Sequence, residues 1–305
     1  MNTSANLHVD LACGEMDARI SLMGAELISL CYRGQELLWQ GDLNYWARQS
    51  PILFPVVGQV RDGLITVGQQ AYPMPQHGFA SISKFELMHK TVSSCSLRLA
   101  NSALTREHYP YDFVLTLTYE LTAQGLSMLA EVFNPGHSLL PAAFGFHPGF
   151  AWPLEPGRSK EEYELYFPKD TTLLTGRLDS QGALQIQRTA LALDRCRLAL
   201  EETLFLSSAL IVFGRVSEWL EYRPRSGSGL GLKLHTEGLP ELGLWMKPGA
   251  SYLCIEPWHG TADPERPYGD FSKKPGLIHL ERGQTRVFAL RCEVTHHHHI
   301  TKEPT

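Results

Sequence analysis

Apolar and polar residues alternate along much of the 305-residue chain. In the segment Phe113–Leu121 the odd-numbered positions carry Phe, Leu or Tyr, and the even-numbered positions from Thr116 onward carry Thr or Glu. A period of two places the apolar side chains on one face of a half-buried β-strand. A second apolar segment, Leu126–Phe133, follows a turn at residues 123–125 and ends at Asn134-Pro-Gly, a strong stop signal. The two segments together predict an antiparallel hairpin.

The same alternation predicts further strands elsewhere in the chain. These segments are Ala18–Leu30, Leu37–Trp39, Leu64–Val67, Ser96–Leu99, Leu198–Phe205, Gly231–Leu234 and Arg286–Val294. Helical patterns are scarce: Asp42–Gln49 is predicted to form two turns with Asp42 as N-cap, and Ser159–Leu165 fits a helix or a strand equally well. Because many short strands at regular spacing favour stacked sheets, the sequence predicts an all-β fold, a large antiparallel β-sandwich with few short helices. We expect a single domain over residues 1–295 and a His-rich C-terminal tail over residues 296–305.

Charge and hydropathy narrow the classes of function. The formal net charge is −5 and no basic cluster is present, which argues against a nucleic-acid partner because phosphate contacts need a basic surface. No segment approaches the roughly 18 apolar residues that span a bilayer, and the first residues lack the charged and apolar regions of a secretory signal. We therefore expect a cytoplasmic protein with no membrane partner. The sequence leaves the oligomeric state open.

The spacing of cysteine and histidine residues gives no sign of a metal centre. The six cysteines are widely scattered and form no CxxC pair, so they are expected to be reduced thiols rather than zinc or redox ligands. Outside the run His296–His299, no two histidines have a compact ligand spacing, so a metal site would need residues brought together from distant segments. The sequence therefore predicts no metal site.

Titratable residues stand among proline, glycine and aromatic residues in three segments, around His77, His147 and Glu256. Burial would raise the pKa of Glu256 toward neutrality and make it a useful general base. Gly145 and Gly149 would let another group approach His147, whose imidazole titrates where a shared proton is needed. Each feature alone is weak, because a lone histidine is more often a core or surface residue and Glu256 could simply end a strand.

Taken together, the order and spacing of these segments resemble the aldose 1-epimerase, or galactose mutarotase, family, and within it the LacX-like branch. The resemblance extends from about Ala18 to Val294. Its motifs are Gly24-Ala-Glu-Leu27, Leu38-Trp39-Gln-Gly41, Tyr45-Trp-Ala-Arg48, Pro51-Ile-Leu-Phe-Pro55, His77-Gly-Phe-Ala80, Phe146-His147-Pro148-Gly-Phe150, Leu244-Trp245 and Cys254-Ile-Glu-Pro-Trp258. It implies the galactose-mutarotase-like supersandwich and an enzyme that interconverts the α and β anomers of a free hexose, with no metal and no other cofactor.

The resemblance also implies roles for individual residues. Glu256 matches the family's general base, which would take the proton of the anomeric hydroxyl, and His147 matches the general acid, which would protonate the ring oxygen. His77 matches the second histidine of the sugar pocket. Phe150 and Trp258 are assigned to the same sugar-binding site.

A substrate-binding arginine is also expected. Arg48 and Arg61 are both candidates for it, and the sequence does not separate them.

Two departures from the family pattern bear on the substrate. Ser208 stands where relatives commonly have an aspartate that holds sugar hydroxyls, and a neutral hydroxyl makes a weaker hydrogen bond than a carboxylate. Ser81 stands where many relatives have an arginine, which favours a free sugar over a sugar phosphate. A hexose-6-phosphate mutarotase, or a catalytically silent sugar-binding protein on the same fold, therefore remain alternatives.

Overall fold

The computed structural model describes residues 7–226 and 228–297, and strands make up most of its regular structure. In the first half of the chain the strands are β1 (His8–Cys13), β2 (Met16–Ser21), β3 (Leu27–Tyr32), β4 (Gln35–Glu36), β5 (Ile52–Leu53), β6 (Leu64–Val67), β7 (Gln70–Pro73), β8 (Glu86–Lys90), β9 (Ser94–Ala100), β10 (Val114–Thr122), β11 (Gly125–Phe133), β12 (Leu140–Ala142), β13 (Phe144–Phe146) and β14 (Gly149–Ala151). In the second half they are β15 (Tyr163–Tyr166), β16 (Thr172–Gly176), β17 (Thr189–Ala192), β18 (Arg197–Ala199), β19 (Leu210–Phe213), β20 (Trp219–Pro224), β21 (Gly229–Glu237), β22 (Glu241–Trp245), β23 (Tyr252–His259), β24 (Ile278–Leu280) and β25 (Thr285–His297).

The helical segments are short. They are α1 (Ala103–Arg106) and the 3₁₀ turns Arg61–Gly63, Ala80–Ile82, Lys160–Glu162, Glu202–Phe205 and Phe271–Lys273. The ambiguous segment Ser159–Leu165 contains both predicted alternatives, because a 3₁₀ turn leads directly into β15. Within the described ranges no helix is long and apolar enough to cross a bilayer.

The predicted helix at Asp42–Gln49 is wrong. Asp42 forms an isolated β-bridge with Trp46, and its Oδ1 atom accepts the Asn44 N–H at 2.8 Å. The carboxylate thus closes a tight turn on the residues that follow it instead of capping a helix. This turn carries Trp46 and Arg48 toward the site described below.

The strands form two large antiparallel sheets and three small ones. The nine-stranded sheet has the order β18-β15-β20-β21-β25-β11-β10-β9-β8, and the eight-stranded sheet has the order β17-β16-β19-β22-β23-β13-β5, with β14 also paired to β23. The small sheets are β1-β2-β3-β4, β6-β7 and β12-β24. The predicted hairpin is β10–β11, with Thr122 opposite Gly125 and alternate residues of β10 buried.

The two large sheets pack face to face. The ring of Phe144 on β13 stacks on the ring of Phe288 on β25, with centroids 5.0 Å apart and planes 13° apart. Tyr222 on β20 donates its hydroxyl proton to the Ala151 carbonyl on β14 at 3.1 Å. These contacts join one sheet to the other across an apolar interior, so the predicted all-β antiparallel sandwich is confirmed.

Several predicted strand boundaries differ from the structure. Ala18–Leu30 spans two strands, β2 and β3, with a turn between them, and Leu37–Trp39 contributes only an isolated bridge from Leu38 to Phe150. Leu198–Phe205 is a strand only at its start and ends in a 3₁₀ turn. β25 runs to His297, two residues beyond the predicted end of the domain, while residues 298–305 of the tail lie outside the described residues.

The two faces of the eight-stranded sheet have different surroundings. Phe144 points at the other large sheet, so the next residue, Gly145, lies on the opposite face. Gly145 is in register with Trp258 on β23, and residues paired in this way share a face. Glu256, two residues before Trp258, therefore lies on the same face, turned away from the nine-stranded sheet.

Candidate functional site

A cleft of about 580 Å³ opens on this outer face of the eight-stranded sheet. The volume lies within the range of pockets that hold small ligands. Titratable residues from three distant segments line it: His77, His147 and Glu256. The structure thus brings together the three residues that the sequence proposed as a group.

His147 and Glu256 form a buried acid–base pair in this cleft. The His147 Nε2 atom lies 3.1 Å from the Glu256 Oε2 atom, and the two side chains are only 7% and 2% exposed. The other ring nitrogen of His147, Nδ1, is buried and has no hydrogen-bond partner among the described residues. The His147 ring is therefore bound to Glu256 through Nε2, while its Nδ1 atom is left unsatisfied among the described residues.

Burial controls the electrostatics of this pair. It lowers the pKa of His147 well below its usual value, and the nearby His77 and Arg48 lower this pKa further. Burial also raises the pKa of Glu256 well above its usual value. The nearby Trp258 indole N–H opposes this rise in the pKa of Glu256, but burial outweighs it. Both partners therefore favour their neutral forms, and the pair titrates as a unit.

His77 is held by its own backbone and by the loop that precedes it. Its φ is +65°, and the next residue, Gly78, has a φ of +75° with no room for a side chain, since an added Cβ would lie 2.1 Å from the Phe54 carbonyl oxygen. The Gly58 N–H donates to His77 Nδ1 at 3.1 Å, so Nε2 carries the proton of the neutral ring. Burial lowers the pKa of His77 to about 4, which keeps this ring neutral near pH 7.

Aromatic rings pack around His147 where glycines make space for them. The Trp46 ring stacks on the His147 ring at 5.0 Å, and an added Cβ on Gly149 would lie 2.7 Å from Trp46. An added Cβ on Gly145 would lie 2.6 Å from the Trp258 ring. The sequence inference that these two glycines admit a close neighbour is consistent with this packing, and the neighbours are indole rings.

Of the two candidate arginines, only Arg48 reaches the cleft. Its Nη2 atom lies 2.7 Å from Glu26 Oε2 and donates to the Ser81 carbonyl at 3.0 Å, while its Nε donates to the same carboxylate oxygen. Arg61 does not line the cleft, because its Nη2 binds the carbonyls of Pro264 and Glu265 instead. The prediction of Arg61 as a substrate-binding residue is therefore not supported by its position.

Phe150 also lies away from the cleft. It is 1% exposed and packs in the core, so it does not line the cleft that contains the other predicted sugar-binding residues. Trp258 lines the cleft, as predicted, together with Trp46 and Trp245, which the sequence analysis did not select as site residues.

Ser208 lines the cleft, but its hydroxyl already has backbone partners. It accepts the Leu178 N–H at 3.2 Å and lies 3.3 Å from the Ala209 carbonyl. A carboxylate that the sequence analysis missed, Asp179, lines the same wall. Its Oδ1 accepts the N–H groups of Gln181 and Ala183, which leaves Oδ2 without a bond in this turn. An Asp followed three residues later by Gly is an ordinary surface turn in sequence, so nothing local marked Asp179 as a site residue.

The cleft also contains a set of potential metal ligands. One nitrogen of His147, the sulfur of Cys254 and a carboxylate oxygen of Glu256 all lie within 4.8 Å of one another, and all three residues are buried. The sequence predicted no metal site because His147 is more than a hundred residues away from Cys254 and Glu256 along the chain. The structure assembles them across β23 and the segment between β13 and β14.

The chain belongs to the aldose 1-epimerase family, whose model matches residues 8–196. The LacX protein encoded on a plasmid of Lactococcus lactis subsp. lactis is 29% identical over 264 residues, covering 83% of this chain and 88% of LacX. The resemblance to this family inferred from the motifs is confirmed.

Solved structures agree with this assignment. A galactose mutarotase related enzyme from Lactobacillus acidophilus is 28% identical with a TM-score of 0.88, and the match covers 98% of this chain and 99% of that one. A galactose mutarotase-like protein from Lactobacillus casei is 27% identical with a TM-score of 0.86, covering 94% of this chain and all (100%) of that one. The fold of the two-sheet sandwich is therefore shared along nearly the whole chain.

Proposed function

We propose that this protein is an aldose 1-epimerase that interconverts the α and β anomers of a free hexose. The observation that carries the proposal is the buried pair of His147 Nε2 and Glu256 Oε2, 3.1 Å apart in a cleft large enough for one sugar. A protein that only binds sugar has no need of an acid and a base at the same point. Membership of the aldose 1-epimerase family supports the same reaction class.

The proposed reaction moves two protons and breaks one bond. Glu256 takes the proton of the anomeric hydroxyl, the C1–O5 bond breaks, and its electron pair goes to the ring oxygen, which takes a proton from His147. C1 becomes an aldehyde carbon and turns about the C1–C2 bond. Closure on the other face returns both protons to their donors and gives the other anomer. His77, whose Nε2 carries a proton, is proposed to donate a hydrogen bond to the ring oxygen.

The single proton of the pair explains how two neutral groups can supply an acid and a base. The reaction starts with the proton on His147 and the Glu256 carboxylate free, and ring opening leaves the proton on Glu256. Burial also favours the neutral arrangement in the resting protein, and the direct 3.1 Å contact lets the proton pass from Glu256 to His147 before the ring opens. The pair thus needs no outside acid or base to begin another cycle.

The charges that line the cleft favour a free sugar over a sugar phosphate. Of the lining residues in the described part of the chain, only Arg48 is an arginine or lysine, and two of its nitrogens already bind Glu26 and Ser81. Asp179 and Glu256 are acidic. A phosphate dianion would meet one cation, Arg48, whose nitrogens are already hydrogen-bonded, and two carboxyl groups. Sugar hydroxyls, in contrast, can donate to Asp179 and to Ser208.

Anomerisation of three sugars tests the proposal. We expect the protein to accelerate the optical-rotation decay of freshly dissolved α-D-galactose or α-D-glucose, with activity unchanged after dialysis against a chelator. Exchange NMR between the two anomers of glucose 6-phosphate should show a much smaller acceleration. The Glu256→Gln variant keeps shape but cannot accept the proton, and loss of a general base costs about 10²–10⁴ in rate.

Glu241→Gln is the matched control for this variant. Glu241 lies on the neighbouring strand β22, and burial raises its pKa to about 7, but it does not line the cleft. The Glu241→Gln variant should retain normal turnover. A folded Glu256→Gln protein that anomerises sugar as fast as the wild type would remove the base from the mechanism, and sugar binding without any acceleration by the wild type would identify a silent sugar-binding protein.

A further inference from the structure

We propose that His147, Cys254 and Glu256 form a buried binding site for a borderline divalent cation such as Zn²⁺, and that the bound ion switches the acid–base pair off. The three ligand atoms lie within 4.8 Å of one another, close enough to converge on one ion after small side-chain movements. His147 Nδ1 is buried without a hydrogen-bond partner among the described residues, so the imidazole is not fully held by the protein. Nothing in the anomerisation reaction uses Cys254.

The donor set selects the type of ion. An imidazole nitrogen, a thiolate and a carboxylate suit Zn²⁺, Co²⁺ or Cd²⁺, whereas Mg²⁺ and Ca²⁺ prefer oxygen ligands alone. The charges also balance, because a dication bound by one thiolate and one carboxylate is neutral overall. Burial that opposes either anion alone therefore does not oppose the complete complex.

Only the deprotonated thiol and carboxyl coordinate a metal, so any proton on the Cys254 sulfur or on the Glu256 carboxyl oxygen goes to solvent when the ion binds. His147 and Glu256 line the cleft and Cys254 is fully buried, so the ion would enter from the cleft.

The bound ion would compete with the proposed reaction. A nitrogen and a carboxylate that coordinate a cation can no longer pass a proton to and from the sugar. Ion binding itself rests only on the arrangement of the three residues, whereas its effect on turnover rests on the proposed function. The two parts therefore need separate measurements.

Cobalt titration tests the binding site directly. Co²⁺ bound to a thiolate gives a sulfur-to-metal charge-transfer band, which we expect to saturate at one equivalent per chain in the wild type. The run His296–His299 also attracts cobalt, but it contains no sulfur and cannot produce this band. We expect Cys254→Ser to lose the band, while the control Cys292→Ser, which removes another buried cysteine, keeps it.

Two results would overturn the site: no charge-transfer band in the folded wild type, or an undiminished band in Cys254→Ser. If Cys254→Ser does not fold, Glu256→Gln replaces it, because a neutral amide is a poor ligand and should weaken the cobalt complex. Zn²⁺ inhibition is then measured for the wild type and for the folded Cys254→Ser and Cys292→Ser variants, each against its own metal-free rate. Binding at Cys254 without inhibition of an active enzyme would overturn the switch, whereas a metal-free protein without anomerase activity would overturn only the proposed function.

Discussion

Two buried acid–base pairs, Lys274 with Asp263 and His147 with Glu256, differ in how completely their hydrogen-bonding groups are satisfied. Lys274 Nζ lies 2.6 Å from Asp263 Oδ1, with the two side chains 0% and 5% exposed. Asp263 also accepts the Arg61 backbone N–H at 2.9 Å and the Tyr268 hydroxyl at 3.0 Å. Every oxygen of this carboxylate is occupied, so the pair can remain charged in the interior.

The pair in the cleft is arranged in the opposite way. His147 and Glu256 share one contact at 3.1 Å, and His147 Nδ1 has no partner among the described residues. Burial drives both groups toward their neutral forms. Both residues line the cleft, where a ligand can reach them. A satisfied buried pair fixes structure, whereas an unsatisfied buried pair beside a cleft is available for chemistry.

The first pair also positions a residue next to the second. Asp263 ties residues 261–263 to the loop that contains Gly58, and an added Cβ on Gly58 would lie 2.6 Å from the Ala262 Cβ. The Gly58 N–H in turn holds His77 Nδ1. The structural pair therefore supports the histidine that completes the cleft.

The largest expected effect comes from breaking the cleft pair on the histidine side. We expect His147→Ala to lower the anomerisation rate per folded molecule by about 10²–10⁴, because the general acid is lost. The double variant with Glu256→Gln should lose far less than the product of the two single losses, since groups that act as a unit are not additive. Independent, multiplying losses would show that the two residues do not share one proton.

Breaking the other pair should affect stability instead of turnover. Lys274→Met leaves Asp263 buried without its cation, which should lower the free energy of unfolding by about 3–5 kcal/mol. Chemical denaturation measures this loss, and Lys273→Met, which changes an exposed neighbour, should stay within about 0.5 kcal/mol of the wild type. Normal stability of Lys274→Met would contradict the view that this pair holds the loop.

The fold was predictable where local pattern and final packing agree. β10 and β11 alternate apolar and polar residues because one face of each is buried, and the predicted hairpin follows from that alone. Asp42–Gln49 shows the limit, since Asp42 can either cap a helix or close a tight turn, and the turn places Trp46 on His147, a residue about a hundred positions away. A window of eight residues contains no trace of that contact.

The residues of the site were likewise only partly predictable from the sequence. His77, His147 and Glu256 were selected from their proline, glycine and aromatic surroundings and from the family resemblance, and the structure brings them together. The sequence could not separate Arg61 from Arg48, because the carbonyls that bind the Arg61 side chain lie some two hundred residues further along the chain. Cys254 could have been found from the sequence. Side chains alternate along a strand, so Cys254, two residues before Glu256, lies on the same face as Glu256.

A third prediction concerns how stability depends on pH. It contrasts His77, which burial keeps neutral, with Lys274, which is paired with a carboxylate. Burial lowers the pKa of His77 to about 4, against 6.5 for an exposed histidine. Between these values the unfolded chain binds a proton that the folded chain does not, so the free energy of unfolding falls as pH falls from 6.5 to 4. The shift corresponds to a loss of about 3 kcal/mol.

The variant His77→Gln isolates this contribution. Its stability curve should be flatter than that of the wild type below pH 6.5, although His147, which acts in the same direction, still gives it some slope. Denaturant unfolding at several pH values between 7 and 4 measures the difference. The exposed His89→Gln variant should follow the wild type, and parallel curves for His77→Gln and the wild type would mean that His77 titrates normally in the folded protein.

The smallest expected effect comes from removing one donor from the satisfied pair. Tyr268→Phe deletes the hydroxyl that donates to Asp263 but keeps the aromatic ring beside Lys274. Lys274 and the Arg61 N–H still bind the carboxylate, and Tyr268 is only partly buried, so water can take the place of the hydroxyl. We expect a loss of about 1 kcal/mol in the free energy of unfolding, with unchanged turnover per folded molecule. If the variant instead loses turnover while keeping its stability, then Asp263 acts on the cleft through more than the position of its loop, and the division between a structural pair and a chemical pair fails.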